Sequence, residues 1–233
     1  MFKLLSTANP KIQKGTKLGY LSFILHLAPS TLSGKNTCPK ATPGCIAACL
    51  NTAGRGGMFK RGETTNVIQK ARIRKTEYFY NDRAGFMKDL YEDICKGIRL
   101  ANKLGLEPVF RLNGTSDLSW EKYEMTEGKN VFDVFAGIQF YDYTKVLGRK
   151  VKHIENYHLT FSKADGNDSD VAEALLQGMS VVAVYDRIPA GVPSADETDL
   201  RFLDPKGIML GLKAKGRAKK DYSGFVIRLT ESA

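Results

Sequence analysis

Short apolar runs punctuate this chain, separated by longer stretches of mixed polarity. The runs are strand-sized: YLSFILHLA (20–28), VFRLNG (109–114), IQFYDYT (138–144), YHLTFS (157–162), SVVAVYD (180–186), GIMLGLK (207–213) and GFVIRL (224–229). Two helical stretches fall between the first and second runs, at about 64–80 and 83–104. In the later one Phe86, Leu90, Ile94, Ile98 and Ala101 recur at the spacing of one helix face. Gly105 then supplies a C-cap and Pro108 a stop. NDSDVAEALLQGM reads as a further helix, capped by Asn167, Asp168 or Ser169 and closed by Gly178. The Pro-rich stretch 187–206 reads as an irregular loop.

Strand, helix, strand in repetition predicts parallel strands joined by crossovers, within one α/β domain spanning 1–233. The expected architecture is a partial (β/α) barrel of parallel strands with an irregular C-terminal part. The stretches 114–138 and 144–157 show no clear helical period, which argues against a closed eightfold barrel. Polar clusters follow several strands: NGTSD after 109–112, DYTK in 142–145, SKADGND in 162–168 and KAKGR in 213–217. In α/β folds the C-terminal strand ends carry the site.

Cysteine usage sharpens this picture. Three of the four cysteines, Cys38, Cys45 and Cys49, stand in one loop, NTCPKATPGCIAACLNTAGRGG (36–57). Thiolates are soft ligands suited to iron–sulfur clusters and zinc. TPGC bends the chain back, and a helical CIAAC would set Cys45 and Cys49 one turn apart. A structural zinc ion wants four protein ligands, so three cysteines fit a cluster or an open metal site better. Cys95 reads as a half-buried core cysteine or a fourth ligand, and His26 as a structural or a functional histidine. TAGRGG lacks the spacing of a phosphate-gripping P-loop.

Charge adds a partner class. The net charge is +10 and the pI about 9.4. Basic residues concentrate at 55–75 and in KAKGRAKK, with Lys213, Lys215 and Arg217. Such clusters fit a nucleotide, a nucleic acid or another anion, or else a solvated face. No apolar run approaches the roughly 18 residues of a membrane span. The segment 1–15 is too short in apolar residues for a signal peptide, so a reducing cytoplasm is expected. NGTSD offers Asn113, Thr115, Ser116 and Asp117 as turn formers or site residues, and QFYDYTK offers Asp142 as a site acid or an ion-pair partner.

A three-cysteine loop after the first strand of a parallel α/β chain resembles the radical S-adenosylmethionine (SAM) superfamily. The resemblance implies a [4Fe-4S] cluster on Cys38, Cys45 and Cys49, with SAM on the open iron and Asn113, Thr115, Ser116 and Asp117 near its amino group. The spacing C-x6-C-x3-C departs from that family's usual C-x3-C-x2-C. TLSGKNTCPKATPGCIAACLNTAGRGG, RLNGTSDLSW, QFYDYTK, YHLTFS, DLRFLDPKG and GLKAKGRAKKD resemble a protein family common in bacteriophage and prophage genomes, over nearly the full length. That resemblance implies a phage origin and a host-cell cytoplasm, and brings no established activity. Together these observations lead to the expectation of a phage-encoded, radical-SAM-like iron–sulfur protein acting on a nucleotide or nucleic acid. The alternative is a non-catalytic protein that holds zinc or a cluster and binds nucleic acid, or an accessory protein.

Overall fold

The computed structural model describes residues 3–7 and 14–229. In chain order its elements are β1 (Leu5–Ser6), β2 (Tyr20–Leu25), α1 (Pro43–Ala47), α2 (Val67–Asn81), α3 (Arg83–Lys103) and β3 (Glu107–Arg111). There follow β4 (Glu124–Thr126), β5 (Lys129–Asn130), α4 (Val131–Val134), β6 (Gln139–Thr144) and β7 (Tyr157–Ser162). The chain continues with α5 (Asp168–Leu176), β8 (Val181–Tyr185), β9 (Met209–Lys213) and β10 (Val226–Ile227). The predicted strands and the three longer helices form within a few residues of their expected positions. Gly105 closes α3 in the left-handed region (φ 65°), as its place after the last apolar repeat requires.

The central sheet runs β1-β2-β3-β6-β7-β8-β10, with β9 also paired to β8. Within this sheet every pairing from β2 to β9 is parallel, and its strands β2, β3, β6, β7, β8 and β9 lie side by side in chain order. β1 is antiparallel to β2. One edge of β8 is shared, by β7 at Val181 and Val182 and by β10 at Val184 and Tyr185. The sheet is mostly parallel and is not closed into a barrel. The connections between β3 and β6 and between β6 and β7 contain only short elements, the longest helix being α4 with its Asn130–Asp133 capping box.

Period-two alternation assigns the two faces. Phe23, Phe110 and Phe140 point to one side, where Phe23 and Phe110 stack at 5.0 Å and Phe110 and Phe140 lie 5.6 Å apart. This is the side of the main core, which α3 joins through Phe86, Leu90 and Ile94, with Cys95 packed half-buried against it. Gly97 sits over this stack, and an added Cβ would meet Phe110 at 3.1 Å. The opposite face carries Ile24, Val109, Arg111, Tyr141, Tyr143, Val182 and Leu210. Among the described residues no long helix covers it; instead the 187–206 loop packs Leu200 and Phe202 on Val109 and Tyr141, and Ala195 on Val182 and Leu210. The C-terminal half of this face is left open beneath the cysteine loop.

Among the described residues, no helix is long and apolar enough to cross a membrane.

Candidate functional site

That open half-face and the loops above it enclose a cavity of about 760 Å³. β2, β3, β6, β8 and β9 contribute their C-terminal ends, and the cysteine loop forms the opposite wall. Cys38, Cys45 and Cys49 all line it. The size falls in the range of small-molecule and cofactor sites.

Local chemistry sets each thiol. Cys38 Sγ accepts from the Ser30 amide at 3.2 Å and lies 3.8 Å from the Thr115 carbonyl. Cys45 rides on α1, which starts at Pro43 and is capped by Thr42, whose Oγ1 accepts from the Cys45 amide at 3.2 Å. Asp165, beyond β7, accepts from the Thr42 hydroxyl and, at 3.1 Å, from the Gly44 amide. A Cβ at Gly44 would meet Ser223 Oγ and Asp165, so only glycine permits this clasp. The expected CIAAC helix stops at Ala47: Ala48 takes the last amide bonds back to Gly44 and Ile46, and Cys49 turns extended (ψ 135°) to cap the next 3-10 turn. Burial pushes the Cys38 thiol up and the Cys49 thiol up to about 11. All four cysteines are free. Among the described residues, no three His, Cys, Asp or Glu side chains are grouped so as to hold a metal ion.

NGTSD lies against Cys38, and its side chains are mostly spent on the loop itself. Asn113 Oδ1 accepts from Ser116 Oγ, the Leu118 amide and Trp120 Nε1, while its amide donates to the Leu118 carbonyl. Thr115 Oγ1 donates to the Leu27 carbonyl at 2.5 Å. Asp117 Oδ2 accepts from the Lys145 amide at 2.7 Å; Oδ1 accepts no hydrogen bond and stands 3.8 Å from Arg149. Burial raises the Asp117 pKa, and the Lys145 amide partly offsets it.

Asp142 does not line the cavity. Tyr141 and Tyr143 take the cavity face of β6, and Asp142 points to the other. There its carboxylate accepts from the Asn113 amide at 2.7 Å and from Tyr157 at 3.1 Å, fixing the turn from behind. Burial raises its pKa to about 7, against the pull of Arg111. Lys213 and Lys215 line the cavity, whereas Arg217 is exposed outside it. Cys95 is on the far side of the sheet from the cavity.

His26 lines the cavity as an unprotonated imidazole, since burial and the charge of Arg72 lower its pKa to about 3. Its Nδ1 is buried without a hydrogen-bond partner. Beside it are residues that the sequence pattern alone did not single out as a site. Arg111 pairs with Asp199 at 2.9 Å and lies over the Tyr143 ring at 4.6 Å. Arg72, from α2, reaches in and donates to Asn51 Oδ1 at 2.6 Å. An arginine inside the apolar run VFRL was the available signal for Arg111. Arg72 was hidden among neighbours of the same charge, most of which are exposed.

Among the described residues, Arg72, Arg111, Lys145, Lys163, Lys213 and Lys215 line the cavity against two acids, Asp117 and Asp199. Ile24, Val182, Val184, Leu212 and Phe225 give the cavity an apolar side as well. The arrangement is suited to an anionic group attached to an apolar or flat body, next to three thiols.

A family model described as gene product 88 matches residues 3–229. No curated protein and no solved structure matches the chain.

Proposed function

Because this chain belongs to the gene product 88 family, and that description carries no chemistry, we propose a function from the cavity itself: an iron–sulfur protein of radical-SAM type. The observation that carries it is the meeting of Cys38, Cys45 and Cys49 with the NGTSD loop on one cavity, at the C-terminal ends of parallel strands. The chain-order run of parallel strands from β2 to β9 supports a partial-barrel architecture around it.

The donor set favours a cluster over a single ion. Tetrahedral zinc, bound at about 2.3 Å by each thiolate, needs its sulfurs within about 4 Å of one another. A structural zinc ion also takes four protein ligands, and this loop offers three cysteines. A polynuclear cluster spaces its ligand sulfurs more widely, because each holds a different iron. Cys38, Cys45 and Cys49 would be the ligands of a [4Fe-4S] cluster, leaving one iron without a protein ligand. When bound, the cluster would supply the electron for reductive cleavage of SAM. Asp117, a carboxylate on the cavity wall, would take an ammonium group, and Thr115 and Ser116 line the same wall. Entry of iron must displace the protons that burial holds on Cys38 and Cys49, so loading improves as pH rises.

The test is anaerobic reconstitution, with iron and sulfide analysis and electron paramagnetic resonance of the reduced protein with and without SAM. The parent and Cys95→Ala are expected to carry a cluster, and each of Cys38→Ala, Cys45→Ala and Cys49→Ala to lose it. Asp117→Ala should keep the cluster but blunt its response to SAM. Equal metal content in the parent and the loop variants, or a spectrum indifferent to SAM with no deoxyadenosine formed, would overturn the enzyme.

A second reading, a non-catalytic metal-holding protein that grips nucleic acid, draws on a different observation. The 3-10 turn Gly216–Lys220 packs against the turn Leu50–Thr52, so the C-terminal basic cluster stands beside the cysteine loop and Arg55. Metal without any response to SAM, together with salt-sensitive nucleic-acid binding, would favour it.

A further inference from the structure

The charges lining the cavity do not balance. Arg111 is paired with Asp199, Lys163 with Asp168 and Lys215 with Asp196. Asp117 spends one oxygen on the Lys145 amide and turns the other toward Arg149. Among the described residues, Arg72, Lys145 and Lys213 make no ion pair, although all three line the cavity. Arg72 is the most telling. Among the described residues, its largely enclosed guanidinium donates through Nη1 to Asn51 alone and leaves a buried Nε without a partner. A buried guanidinium is normally paired, because taking an isolated charge out of water is unfavourable. The Tyr143 hydroxyl and Arg111 Nε are likewise buried without a hydrogen-bond partner on the same wall.

The three unpaired cations come from separate elements: α2, the end of β6 and the end of β9. One carboxylate would engage one or two of them. A phosphoryl group, with close to two negative charges and three acceptor oxygens, can engage all three. The apolar side of the cavity, from Ile24 across Val182 and Val184 to Leu212, is left for the rest of the molecule.

We propose that Arg72, Lys145 and Lys213 form a phosphate clamp, and that the cavity takes a small organic phosphate of nucleotide size as its substrate. The proposal deepens the enzyme reading above, on which the word substrate rests. The clamp itself stands on the cavity and its charges.

The test uses isothermal titration of the full chain with inorganic pyrophosphate, adenosine 5′-monophosphate, adenosine and citrate. Iron is measured on each preparation. The two phosphates should bind, and adenosine and citrate at least about tenfold more weakly. Each of Arg72→Gln, Lys145→Gln and Lys213→Gln should weaken phosphate binding about tenfold or more, the loss of one charge-assisted hydrogen bond. Arg72→Lys should recover part of that loss, and Arg217→Gln and Lys219→Gln, outside the cavity, should leave binding unchanged. Equal binding of citrate, or unchanged affinity in the Lys145 and Lys213 variants, overturns the clamp. So does binding of a single-stranded oligonucleotide in the absence of any pyrophosphate binding. Pyrophosphate binding by protein that takes up no iron supports the clamp and overturns the cluster; iron uptake without phosphate binding does the reverse.

Discussion

Asp142 has its carboxylate on the helix side of β6, where the Asn113 amide and the Tyr157 hydroxyl donate to it. Burial raises its pKa from 3.8 to about 7. A carboxyl raised on folding makes the folded state bind more protons than the unfolded chain between those two values. Its contribution to stability is therefore full below about pH 4 and is lost as pH rises toward 7. In Asp142→Asn the side chain no longer titrates, although the acceptor for the Asn113 amide is kept. Relative to that variant, the parent should lose on the order of a few kcal/mol between pH 4 and 7 and nothing further above 7. Urea denaturation of both proteins across this range is the measurement, and a constant difference would refute the assignment. His26 follows the opposite sign: its pKa is lowered to about 3, so its stabilising contribution fades as pH falls below its unfolded value of 6.5.

At the scale of elements, the site depends on how closely the turn after β3 approaches β2. A Cβ on Gly114 would meet His26 Nδ1 at 2.5 Å, Ile24 Cγ2 at 2.6 Å and the Leu25 carbonyl at 2.7 Å. Its amide donates to that same carbonyl at 2.9 Å, so the strand end cannot simply move aside. Gly114→Ala should cost about 1–3 kcal/mol, the usual range for overpacking. It should also displace NGTSD from Cys38. Thermal unfolding reads the first effect, and faster alkylation of Cys38 by iodoacetamide the second. Unchanged melting together with unchanged alkylation would show that the approach is slack. The hydrogen bonds of Asn113 to Ser116, Leu118 and Trp120 hold this turn from within, and those of Asp165 to Thr42 and Gly44 hold α1 from across the cavity. Both walls are thus fixed by polar side chains, through side-chain and backbone partners alike.

Over the whole molecule, the net charge of +10 becomes a directed field. Arg55, Lys60 and Arg61 on one side, and Arg217, Lys219 and Lys220 on the other, are exposed on segments that flank the cysteine loop. If this surface receives nucleic acid, binding must weaken with salt, because each neutralised phosphate releases counterions. Reversing Lys213, Lys215 and Arg217 to Glu should lower both affinity and the slope of log K against log salt, by up to about 0.9 for each phosphate no longer neutralised. Fluorescence anisotropy with a labelled oligonucleotide across a salt series measures this. An unchanged slope removes the surface from consideration.

The elements of this fold were readable from local pattern, because strand alternation and the helical repeat are properties of a few consecutive residues. Phe23, Phe110 and Phe140 fall on one face for that reason, and the cysteine loop and the polar strand ends could be marked in advance. β1, the β4–β5 hairpin and α4 carry too few residues for a period to register, and were found only in the structure. The inner wall of the cavity was decided by tertiary packing. Arg111 is held half-buried on the sheet by Asp199, 88 residues away; Arg72 turns inward to donate to Asn51 while Lys70 and Arg74 stay outside. Asp142, marked from sequence as a site acid or an ion-pair partner, instead braces the NGTSD turn from the opposite face. Whether a charge is buried depends on partners distant in the chain, and a local pattern does not contain them.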